Sequence, residues 1–354
     1  MKVLKASAVI IGAIIGAGFA SGKEIFEYFA KYGIVSLLFV VPLFFCFAFF
    51  INTYLKFGEK MQNLHLKQCT NLICKHKKIF GLNLNLCDIG LFLTFLVLCS
   101  AMFSALVSLL ATYLPSGHKW LYFLIALVIT IILSNTSFKN FNLLSNLVVP
   151  LIVVCIILNV ICSFNSGSFT TNFGIKNILP LPLLSLAYVS QNTFFSSFVI
   201  IKIGGNLSPK QRRQTSILTS FVLCILLTLG ILCFLFNPRL AYCQMPFAEV
   251  AIAINPIFSV VFALILFGSI ITTHATCLTS LKEYFKGEKK YNKTPLMLAL
   301  IVLLSLFNFG TIVEYLYPLI GAFGLIYFFK IVSFSKTTPN IRTFQTYSTN
   351  INKH

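Results

Sequence analysis

The chain has 354 residues, of which 58% are apolar and 10% charged, and its mean hydropathy is +0.91. This excludes a water-soluble globular domain and leaves enough apolar length for about ten membrane crossings of roughly 20 residues each. The charge is lopsided, 27 Lys and Arg against 8 Asp and Glu for a net +19, but the basic residues lie on connections between apolar runs and form no stripe, which excludes a nucleic-acid-binding surface.

Apolar windows predict ten helices, at 4–31, 33–55, 85–113, 120–135, 141–163, 178–203, 215–236, 256–281, 295–309 and 311–332. The expected fold class is therefore all-α integral membrane, with one transmembrane domain over 1–332 and a polar tail, 333–354, expected to be disordered. When alternate connections are placed on alternate sides, 22 basic residues share a side with Lys2, Lys139 and the 56–84 loop. Only Lys23, Lys31, Lys119, Lys176 and Arg239 fall opposite. The positive-inside rule then puts both termini in the cytoplasm. The start of the chain has the outline of a secretory signal, ending at Gly18-Phe19-Ala20, yet further apolar sequence follows at once, so it is expected to remain as the first span.

Of the eleven Cys, Cys46, Cys87, Cys99, Cys155, Cys162, Cys224, Cys233 and Cys277 lie in or beside apolar runs and read as small buried hydrophobes. His65, Cys69, Cys74 and His76 are metal-ligand types without the spacing of a closed zinc site, so they read as part of a solvated basic loop. No cofactor is expected beyond a coupling ion.

The first span contains Gly12, Gly16, Gly18 and Gly22 within eleven residues. Each Gly costs about 1 kcal/mol in a helix interior, so the helix is expected to come apart here. Close Gly-x-x-x-Gly packing is the alternative, and the polar run Ser21-Gly22-Lys23-Glu24 argues against it, because a continuous helix would carry those residues to mid-depth. The sixth span carries Tyr188-Val189-Ser190-Gln191-Asn192-Thr193, too polar to face lipid, which must line a cavity or bond neighbouring helices. Interruptions in helices one and six of ten fit an inverted five-plus-five repeat, about 4–163 and 178–332, with a binding site between them. Freed amides near Gly16, Ala17 and Gly18 suit a carboxylate and freed carbonyls suit a cation, so the pair suits a zwitterion.

The stretch GAIIGAGFASGKE in the first span and YVSQN in the sixth resemble the YkvI-like bacterial membrane proteins, permeases of the amino acid-polyamine-organocation superfamily with the LeuT-type fold. The resemblance runs through nearly the whole chain, with Gln191 standing where the family has an aromatic, and it implies that the membrane is a bacterial cytoplasmic (inner) one. It implies a solute between the unwound centres of spans one and six, with spans three and eight completing the cavity. Gly16, Ala17 and Gly18 would meet a solute carboxylate, Tyr188, Ser190 and Asn192 would face it from the other side, and Phe19 would act as a wall or gate. It also implies a sodium ion between the carbonyls of Gly12 and Ile15 and the hydroxyls of Ser269, Thr272 and Thr273, which occupy one face of span eight. Back-bonding of these hydroxyls to their own helix is the plainer reading.

In proton-coupled relatives a Lys often stands in span five. This span has none, which favours sodium, while His274 keeps a proton relay open. Glu24 and Glu314 are intramembrane carboxylates that either serve function or sit near water, and Asp88 reads as an interfacial charge. No His-Glu-x-x-His, Gly-x-Ser-x-Gly or Gly-x-x-x-x-Gly-Lys motif occurs, so no enzyme is expected. The expected function is alternating-access secondary transport of an amino acid or similar small zwitterion. A proton-coupled permease and a non-transporting solute sensor are the alternatives.

Overall fold

The structure is a computed structural model that describes residues 2–60, 77–79, 82–84, 86–135, 142–164, 169–173, 177–285 and 294–337. His65, Cys69, Cys74, His76, the side chains of Cys87 and Asp88, and the tail from 338 lie outside the described residues. The first apolar run forms three helical pieces, α1 (Lys2–Ile14), α2 (Ala17–Ser21) and α3 (Lys23–Tyr28). A 3-10 stretch, Ala30–Phe39, leads into α4 (Val40–Lys60), and a small antiparallel pair, β1 (Lys77–Ile79) with β2 (Leu82–Leu84), follows. Next come α5 (Leu86–Tyr113), α6 (Lys119–Asn135) and α7 (Asn142–Ser163).

The sixth apolar run is also broken, into α8 (Leu181–Phe195) and α9 (Ser197–Gly204), which meet at 63°. Beyond it lie α10 (Pro209–Phe236), α11 (Pro246–Ile254), α12 (Pro256–Phe285) and α13 (Thr294–Leu304). The last run opens with a turn at Phe309–Thr311, passes through π-helical Ile312–Leu316 and ends as α14 (Tyr317–Thr337). By length and composition five helices are able to cross a membrane, six with the bent α8–α9 pair, and several further apolar helices are shorter. Helix α11 was not expected; only nine residues long, it falls below a span-sized window.

The fold turns its apolar residues outward as well as inward, as lipid requires. Leu38, Phe45, Leu124, Leu264 and Phe329 are exposed on helix surfaces, and Trp120 stands exposed at the start of α6, the placement of an interfacial aromatic. Inside, α8 packs on α14, α10 on α4 and α1, and α12 on α5, α7 and α2. These contacts bring the two broken runs together at the centre. Helix α10 starts at a capping box, where Ser208 Oγ accepts Gln211 N–H at 3.4 Å, Gln211 Oε1 accepts Ser208 N–H at 3.0 Å, and Pro209 takes a position that needs no donor. One turn on, buried Arg212 donates to the Leu207 carbonyl at 2.9 Å and pairs with Glu59 at the end of α4.

Candidate solute-binding site

The first span comes apart where its glycines cluster. Ile15 N–H still donates to the Ile11 carbonyl at 2.8 Å, but Gly16 N–H turns back to Ile14 at 2.9 Å, and the next bond is Ala20 N–H to Gly16 at 3.0 Å. Among the described residues this leaves the carbonyls of Gly12, Ala13 and Ile15, and the amides of Ala17, Gly18 and Phe19, without a main-chain partner. A second break follows at Gly22, whose φ of 83° lies in the left-handed region that only glycine enters freely. A Cβ there would also press on the Phe247 ring of α11 at 3.0 Å.

Beside the first break lies a cavity of about 900 Å³. Gly12, Gly16, Ala17 and Gly18 line it from the first span, Phe95 and Met102 from α5, Asn192 and Phe195 from α8, and Thr272, Thr273 and Cys277 from α12. Glu24 and Tyr317 complete the polar part of its wall. Spans one, three, six and eight therefore surround one chamber.

Several expected site residues lie elsewhere. Phe19 is buried but does not line the cavity. In the sixth span the polar run stays helical through Thr193 and the bend falls after it, at Ser196. Tyr188 consequently sits one turn beyond the cavity, 2% exposed, with its ring 5.1 Å from Tyr28, 5.0 Å from Phe29 and 6.0 Å from Phe47. Ser190 points to α14, where its Oγ donates to the Gly321 carbonyl at 2.8 Å. Of the three residues expected on this wall, only Asn192 reaches the cavity, with its amide donating to the Tyr188 carbonyl at 2.9 Å.

The expected ion ligands divide in the same way. Thr273 lines the cavity beside the break, with Oγ1 3.9 Å from where a Gly16 Cβ would stand. Thr272 also lines it, but its hydroxyl donates to its own helix, to Gly268 at 3.0 Å and Ser269 at 3.1 Å. That bond uses the proton and leaves lone pairs, so Thr272 can still face a cation. Gly12 lines the cavity; Ile15 and Ser269 are buried behind it. The set consists of hard neutral oxygens, which fits sodium. His274 is buried outside the cavity lining, and neither ring nitrogen has a hydrogen-bond partner among the described residues.

The two intramembrane carboxylates have different settings. Glu314 is 38% exposed and lies 3.4 Å from Lys31. Lys31 also lies 3.3 Å from Glu27, whose other oxygen is 3.1 Å from Lys23. Glu24 is buried and faces the cavity. Tyr317 and Cys277 were missed from the sequence, because a Tyr or Cys in an apolar span carries no signal that separates a cavity wall from packing.

No family model matches the chain. It is 22% identical over 328 residues to the uncharacterized membrane protein YkvI of Bacillus subtilis (strain 168), covering 90% of this chain and 92% of that protein. Among solved structures it is similar to a manganese transporter of Eremococcus coleocola, with a TM-score of 0.52 and 13% identity over 93% of this chain and 77% of that one. It is similar as well to the inward facing conformation of Mhp1, with a TM-score of 0.52 and 11% identity over 94% of this chain and 73% of that one. The fold is the LeuT type. At these identities the likeness concerns the fold alone.

Proposed function

We propose that the protein is a secondary transporter of a small amino-acid-like solute. It works by alternating access and is coupled to sodium, in a bacterial cytoplasmic membrane with both termini cytoplasmic. The observation that carries this reading is the cavity of about 900 Å³ at the break in the first span, where unpaired main-chain groups meet the hydroxyls of α12. A discontinuous helix at a central chamber is the arrangement by which transporters of this fold hold solute and ion. Sodium is favoured by the fit of the Gly12 carbonyl, Thr272 and Thr273 to a hard cation, and the excess of basic residues on one side supports the orientation.

Manganese, the cargo named for one structural neighbour, is not carried over to this chain. Among the described residues no three His, Cys, Asp or Glu side chains cluster as a metal site. Counterflow in proteoliposomes tests the reading: vesicles preloaded with an unlabelled amino acid should accumulate the labelled one, faster with sodium than with choline. Binding without exchange would identify a sensor and overturn transport.

A further inference from the structure

We propose that Glu24 is the anionic anchor of the cavity and holds the ammonium group of an amine-bearing solute. The proposal rests on reading the cavity as a solute site and assigns the chemistry of one wall.

Glu24 is 6% exposed and is the one charged residue among the described residues lining the cavity. The nearby basic side chains are already engaged, because Lys23 and Lys31 meet the carboxylates of Glu27 and Glu314. Two cations face two carboxylates there, and Glu24 forms no ion pair or hydrogen bond among the described residues. A carboxylate held in low dielectric with no cation beside it either keeps a proton or pairs with a cation brought into the cavity, and the acceptor oxygens around Glu24 favour the second.

Gly18 makes room for this carboxylate. A Cβ at Gly18 would overlap Glu24 Oε1 and lie 2.6 Å from Cδ and 2.9 Å from Cγ, so the acid rests on the bare main chain of α2. This reverses the expectation for Gly18, since a solute carboxylate placed there would meet another carboxylate. The cavity also offers Tyr317, whose buried hydroxyl has no hydrogen-bond partner among the described residues and lies within electrostatic reach of Glu24. Asn192 spends its amide N–H on Tyr188, which leaves its carbonyl oxygen as an acceptor. A primary ammonium has three N–H donors and no acceptor, which matches a wall of Glu24, Asn192 and Tyr317 oxygens.

The test measures thermal stabilisation of the purified full-length protein by n-propylammonium, L-alanine and propionate in the presence of sodium. The two amines should stabilise the wild type and propionate should not. Glu24→Gln, which keeps the shape and removes the charge, should weaken the apparent affinity for both amines by roughly a hundredfold. Gly18→Ala keeps the charge but displaces the acid, and should weaken amine binding as well, which guards against a folding defect in either variant alone. A wild type stabilised by propionate and by neither amine, or by none of the three, overturns the assignment. So does unchanged amine affinity in Glu24→Gln, and if wild-type uptake varies with pH while uptake by that variant does not, the carboxylate serves a proton instead. Counterflow separates this proposal from the transport reading. Amine binding by the wild type without exchange sinks transport and leaves Glu24 standing, whereas undiminished exchange by Glu24→Gln sinks Glu24 alone.

Discussion

Lys31 and Glu314 lie 283 positions apart in the chain, and their side chains meet at 3.4 Å. The contact ties the first span to the last, and Glu27 extends it to Lys23. Beside it Tyr28 donates to Gln191, tying the first span to the sixth. The rings of Tyr28, Phe29 and Tyr188 pack together beside this polar layer. Glu314→Gln should loosen this tie between the spans with little loss of stability, since a part-exposed pair contributes about 1 kcal/mol or less. Hydrogen exchange across Lys23–Tyr28 should quicken by about fivefold or less while the melting temperature barely moves. Unaltered exchange would show that the pair does not steady this segment.

Helices α4 and α9 cross with almost no space between them. A Cβ on Gly204 would run into the Leu55 carbonyl, and one on Gly58 into the Ile201 carbonyl. The neighbouring atom is backbone in each case and cannot rotate away. Gly204→Ala should therefore cost about 1–3 kcal/mol or more, read as a lower melting temperature of the detergent-solubilised protein. A neutral result would mean that the crossing opens without penalty.

Ser190 and Tyr188 serve the scaffold, so their substitutions should separate stability from binding. Ser190→Ala should cost about 1 kcal/mol by removing the bond to Gly321, and Tyr188→Ala about 3–5 kcal/mol by emptying an aromatic cluster. Ligand-induced stabilisation should persist in Ser190→Ala. Its loss there would return Ser190 to the cavity wall.

Thr272→Ala combined with Thr273→Ala should weaken the sodium dependence of uptake by about tenfold or more and leave the fold intact. Uptake measured across a sodium series decides the matter. A variant with unchanged sodium dependence would remove α12 from the ion site.

Much of this was legible in the sequence because lipid imposes a simple grammar: long apolar runs mark the helices, and Gly12 to Gly22 mark a place where no long helix survives. Gly18, from the glycine cluster, and Asn192 and Thr273, from the family resemblance, line the cavity. The polarity of Tyr188–Thr193 suggests an interruption there, whereas the bend falls after it, at Ser196. Those residues are helical, with Ser190 bonded across to Gly321 and Thr193 bonded back to the Val189 carbonyl of its own helix at 2.8 Å. Polarity in a span reveals the need for partners but not where they stand. The roles of Glu24 and Glu314 were likewise undecidable, since only the three-dimensional arrangement puts Lys31 next to one and open space next to the other.

The five residues of α2 are joined at both ends by glycines that release the chain from helical geometry. A piece this short has hardly any bonds of its own to keep its direction, so its surroundings must supply it: Thr273 near Gly16, Phe247 against Gly22 and Glu24 upon Gly18. Whatever fills or empties the chamber thus acts on a swivelling link and not on a rigid rod.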